Sequence, residues 1–117
     1  MPHIVLEGPV DLRKFYTDYR PSALQTEGEI LKLQNIFISQ GNNTVLIEAM
    51  AVEGGPPNRF FVQAGTKGSK TTVRIYPGTD PEKTHGVKKL LALAAKQLKD
   101  QNSEIRYGAT NLKDFLL

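Results

Sequence analysis

The sequence predicts an α+β fold: a two-layer sandwich, with two helices packed on one face of a mixed sheet, in a single domain over residues 1–117. Three observations predict it. Six short stretches read as strands, and a helical period of about 3.6 recurs in two others. The stretches follow one another as β-α-β-β-β-β-α-β, with a helix between strands at each end. The two ends also look alike, because a strand, a Gly-Pro or Pro-Gly pair and a helix occupy residues 2–19 and again residues 71–99. Two βαβ units with right-handed crossovers and parallel strands are the expected framework.

Residues 2–7 read as the first strand, with Ile4 and Leu6 on one side and His3 and Val5 on the other. Gly8-Pro9 punctuates it. Leu12, Phe15, Tyr16 and Tyr19 recur at helical spacing, and Arg20-Pro21 stops that helix, because the residue before proline is pushed out of the α region. Residues 21–28 are polar and read as a loop.

Residues 29–39 read as the second strand. Leu31 and Leu33 differ in parity from Ile36 and Ile38, so a bulge near Gln34-Asn35 is needed to bring all four to one face; otherwise the sheet is covered on both faces. Gly41-Asn42-Asn43 is a hairpin signal. The third strand, residues 44–52, is apolar on both sides except for Glu48, which predicts cover on both sides by helices or by another subunit. A lone carboxylate there needs a partner, and an arginine or lysine across the sheet is the expected one.

The fourth strand, residues 59–64, follows a Gly-Gly-Pro-Pro loop, and the fifth, residues 71–76, alternates cleanly. Thr79 or Asp80 is the expected N-cap of the second helix. Its stripe is Val87, Leu90, Leu91, Ala94, Ala95 and Leu98, and Gly86 weakens its start by about 1 kcal/mol relative to alanine. The sixth strand covers residues 104–109, and the apolar Phe115-Leu116-Leu117 segment is expected to dock on its own domain or on a neighbour.

Composition removes several chemistries. The chain has no cysteine, which excludes disulfides and thiolate sites. No run approaches the length of a membrane helix and no apolar leader opens the chain, so a cytoplasmic protein without membrane partners is expected. The net charge of +3 comes from lysines concentrated over residues 83–99, read as a solvated helix face. Aromatics are not interleaved with those lysines, so no nucleic-acid partner is expected. His3 and His85 lie far apart and no metal-ligand spacing exists. Residues 65–70 superficially look like a phosphate loop, but they lack the Gly-Lys-Ser order and join two strands.

One stretch is left with a specific proposal, Met1-Pro2-His3-Ile4-Val5-Leu6. Removal of Met1 would turn Pro2 from an amide into a free secondary amine at the end of a strand. That opening, with the strand-helix segment over residues 71–98, resembles the tautomerase superfamily, nearest to 5-carboxymethyl-2-hydroxymuconate isomerase-like and 4-oxalocrotonate tautomerase-like members. The resemblance implies a tautomerase-like fold, a homo-trimer, no cofactor and no metal. It also implies a Pro2 general base that isomerises a small anionic keto-enol acid. An α-amine titrates near 8, and burial or nearby cations bring it toward neutrality. Such a site needs a cation for the substrate's carboxylate and the developing oxyanion. Arg59 and Arg74 are the catalytic candidates, while Arg106 and Tyr107 are candidates for substrate binding. The alternative is a non-catalytic oligomeric module, for ligand binding or for assembly.

Overall fold

Turn residues punctuate the middle of the chain so closely that each strand there can only fold back on the one before it. The computed structural model describes residues 1–117. Its elements are β1 (His3–Glu7), α1 (Leu12–Asp18), β2 (Ser22–Thr26), β3 (Glu29–Ile38), β4 (Thr44–Val52), β5 (Asn58–Lys67), β6 (Lys70–Ile75), α2 (His85–Lys99) and β7 (Arg106–Thr110), followed by a 3-10 turn at Lys113–Phe115. The strands form one curled seven-stranded sheet in the order β2-β3-β4-β5-β6-β1-β7. Every neighbouring pair is antiparallel. No helix is long and apolar enough to cross a membrane.

This sheet overturns the expected mixed, tautomerase-like sandwich of two βαβ units. β1 and β2, which flank α1 in sequence, have four strands between them and lie at opposite ends of the run β2 to β1. β6 and β7 do run in the same direction, but β1 sits between them and pairs antiparallel with both. The cause is the chain of hairpins from β2 to β6. Each fixes an antiparallel pair, and β1 adds to the free edge of β6 at the far end of that run from β2.

Three local expectations also change. Residues 22–26 are a strand, not a loop: β2 pairs with β3 through a Glu27-Gly28 turn in which Gly28 has φ +82. The N-cap of α2 is Thr84, not Thr79 or Asp80, and its Oγ1 accepts from the Val87 N–H. The carboxylate of Glu53 reaches over from the β4–β5 loop, accepting from Thr84 Oγ1 at 2.6 Å and from the Gly86 N–H at 2.8 Å. A Cβ at position 86 would lie 2.6 Å from the Glu53 Cδ, so glycine there admits the carboxylate to the helix start. Gly8 is required for a different reason: its φ is +123, and a Cβ would fall 2.8 Å from the Glu104 carbonyl oxygen.

The bulge in β3 is present. Pairing with β4 shifts register between Leu33 and Ile36, so Leu31, Leu33, Ile36 and Ile38 all face the same way as Val45, Ile47, Ala49 and Ala51. Both helices cover that face. Ile4, Leu6, Leu33, Ile47, Val62 and Val73 are fully buried there with Leu90, Leu91 and Leu98 of α2, while Leu12 and Phe15 of α1 close the same core. Each such large side chain stabilises the fold by about 1.5–3 kcal/mol. The C-terminal segment docks on α2, with the Phe115 ring 5.6 Å from that of His85. Tyr107 O–H donates to the Leu117 carbonyl at 3.0 Å.

Candidate functional site: the uncovered face of the sheet

Alternation in a strand delivers half its side chains to each face. With both helices on one side, the other half has no cover. On β3 to β6 this second face carries Lys32, Phe37, Leu46, Glu48, Met50, Arg59, Phe61, Gln63 and Arg74, and Tyr76 extends it just beyond β6. Phe37 is 51 % exposed and Tyr76 36 %, which is unusual for rings at the middle of a sheet. The Phe61 ring lies between them, 6.2 Å from Phe37 and 6.4 Å from Tyr76, edge to face with both.

The bulge shapes the polar centre. It turns Asn35 toward β4, where Asn35 Nδ2 donates to Glu48 Oε1 at 2.7 Å. Glu48 makes no ion pair, so its partner is this amide and not the arginine or lysine expected across the sheet. Glu48 stands beside Phe61 in register, and Arg59 stands one step along β5, beside Met50. Gln34, Glu48, Arg59, Phe61 and Thr79 line a cavity of about 240 Å³ on this face. Thr79 Oγ1 fixes its floor, accepting from the Phe61 N–H at 3.3 Å and donating to the Tyr76 carbonyl at 3.0 Å. The cavity is smaller than most small-molecule sites, which run from about 300 Å³ upward.

Clefts of about 470 and 610 Å³ flank α1. In the first of them Lys14 and Asp18 neutralise each other at 2.6 Å. Tyr19 also borders it, yet its hydroxyl is buried without a partner, and burial, helped by the Glu48 carboxylate, pushes its pKa up to about 12. No three His, Asp or Glu side chains gather anywhere in a way that could hold a metal ion.

The residues picked out by sequence are distributed over both faces. Pro2 is buried on the helix side, in amide linkage to Met1. The Met1 carbonyl accepts from Asn111 Nδ2 at 2.7 Å, and His3 Nδ1 lies 3.0 Å from the same oxygen. Arg74 is beside His3 in register but on the opposite face from Pro2, with its Nε donating to Gln63. Arg59 shares that uncovered face, two strands from β1. Arg106 lies at its margin, paired with Glu7 at 3.3 Å. Tyr107 is on the helix side, under the Lys99 ammonium, and burial raises its pKa. Arg59, Arg74 and, at the margin, Arg106 therefore share a surface, while Pro2 and Tyr107 do not join them. The Phe37–Phe61–Tyr76 group was not picked out by sequence. Its three rings come from three segments, and only the register of β3, β4, β5 and β6 brings them together.

Comparison with protein-family models, with curated proteins and with solved structures finds no match. The resemblance to tautomerases receives no support from these comparisons.

Proposed function

We propose that this chain is a non-catalytic assembly and binding module whose working surface is the uncovered face of the sheet. One observation carries the reading. β4 is apolar on both sides, and the fold uses only one: Val45, Ile47, Ala49 and Ala51 are buried under helices, while Leu46, Met50 and the neighbouring Phe37 and Phe61 stay partly in water. Monomeric proteins rarely leave contiguous apolar patches of more than a few hundred Å² without a binding role.

The isomerase reading asks for a free Pro2 amine beside an arginine. Pro2 and the two candidate catalytic arginines lie on opposite faces of the sheet, so the geometry favours the binding reading.

Oxidative footprinting of the uncovered face tests it. Met50, Phe37 and Tyr76 are expected to be protected in a concentrated extract of the native host and labelled in the dilute isolated chain. Equal labelling in both would remove the reading.

A further inference from the structure

Resting on that reading, the next question is what covers the face. We infer that its occupant is a second copy of this chain, packed sheet against sheet about a two-fold axis.

Charge is the first argument. A two-fold interface must be complementary to itself. Glu48 is the carboxylate at the centre of this face, and Lys32, Arg59 and Arg74 surround it; none of the four is ion-paired within its own chain. An axis in the plane of the face, running between β4 and β5, lays β4 of one protomer over β5 of the other. Glu48 then lies over the partner's Phe61, with the partner's Arg59 two residues, about 7 Å, farther along the same strand and within reach of its long side chain; the symmetry repeats the contact, giving two equivalent ion pairs.

Area is the second argument. Five strands, β3 to β1, at ~4.8 Å spacing and ~26 Å of strand length give a flat footprint of roughly 600 Å² before side-chain relief is counted. A stable interface needs about 800 Å² of accessible surface from each partner. Shape is the third. Alternating Leu46 and Met50, with Phe37 and Phe61 beside them, form the kind of inner face that interdigitates across the ~10 Å gap of packed sheets.

Sedimentation velocity on the full chain over a range of concentrations is the test. The expected mass is twice the 13.0 kDa of one chain. Glu48→Arg and Arg59→Glu are each expected to raise the dimer dissociation constant at least about tenfold, and the combined reversal to restore it. Phe37→Lys, at an exposed position that leaves the core intact, is expected to give monomers with an unchanged circular dichroism spectrum. A three-chain mass overturns the proposal, as does a dimer indifferent to all three substitutions. A double reversal as monomeric as the single ones overturns the pairing of Glu48 with Arg59. If the isolated chain is monomeric but Met50 and Phe37 are protected in the extract, self-pairing falls and the binding reading stands. If it is monomeric and both are labelled everywhere, both fall.

Discussion

The two faces of β4 are made of nearly the same residue types and have opposite fates. One side, Val45, Ile47, Ala49 and Ala51, is sealed by α1 and α2; the other, Leu46, Glu48, Met50 and Val52, is left half-exposed. Composition does not separate them, and what does is the supply of cover. α1 has seven residues and α2 fifteen, enough to roof one face of a curled sheet and no more. An apolar strand thus has two sorts of apolar residue. Those under a helix stabilise the monomer, and those on the other side contribute only once something else arrives.

The largest effect expected from breaking this comparison comes from truncating adjacent residues of β4. Ile47→Ala removes a fully buried side chain and is expected to cost about 2–5 kcal/mol in urea unfolding. Leu46→Ala, one residue earlier but on the uncovered face, is expected to cost less than about 1 kcal/mol in dilute solution, where no partner covers it. Equal losses at the two positions would mean that the faces are not energetically distinct.

Much of this division was legible in the sequence. The parity break between Leu33 and Ile36 showed the need for the Gln34-Asn35 bulge, whereas the two-sided apolarity of residues 44–52 called for cover on both sides and the chain itself supplies it on one. β2 was not legible, because four of its five residues are exposed, and it is held by backbone pairing with β3 and a hydrogen bond from Gln97 of α2 to Ser22. The strand order was misread for a physical reason. A β-α-β pattern states that the chain crosses over, not which strands become neighbours, and here β1 filled the slot between β6 and β7. At the site, Glu48 and Arg59 stood out by residue type. The Asn35–Glu48 hydrogen bond and the aromatic trio depend on register across the bulge, which composition does not encode.

A smaller effect concerns how the covered face keeps its cover. α2 is pinned at its start by Glu53, so Glu53→Ala is expected to cost about 1–2 kcal/mol through loss of two hydrogen bonds, one to a helix-start N–H. Gly86→Ala tests the same contact with a change of sign. In the native chain the added Cβ displaces the Glu53 carboxylate, and the lost hydrogen bonds offset or outweigh the gain of up to about 1 kcal/mol in helix propensity. In the Glu53→Ala background nothing is displaced, and the same substitution is expected to stabilise. A double-mutant cycle read by thermal unfolding checks this; additive effects would show that Glu53 does not hold the helix.

The smallest effect connects the two faces and appears only at high pH. Tyr19, in the partly buried turn after α1, has its pKa raised from 10.0 to about 12, first by burial and second by the Glu48 carboxylate of the uncovered face. The sign follows directly. Below pH 10 the hydroxyl is neutral in both folded and unfolded chains, and nothing is lost. As the pH rises from 10 toward 12 the unfolded chain ionises while the folded one resists, so stability declines through that window. Tyr19→Phe removes the ionisable group together with a buried hydroxyl that has no hydrogen-bond partner. The variant is expected to be at least as stable as the native chain at pH 8 and to lose less between pH 8 and pH 11. Urea midpoints at the two pH values measure this, with the ionisation of the other tyrosines common to both proteins. Identical losses would mean that the Tyr19 hydroxyl reaches water. Glu48→Gln sharpens the result, because removing the carboxylate leaves burial as the sole cause of the shift. The alkaline decline should then begin at the same pH, set by the unfolded chain, and end earlier.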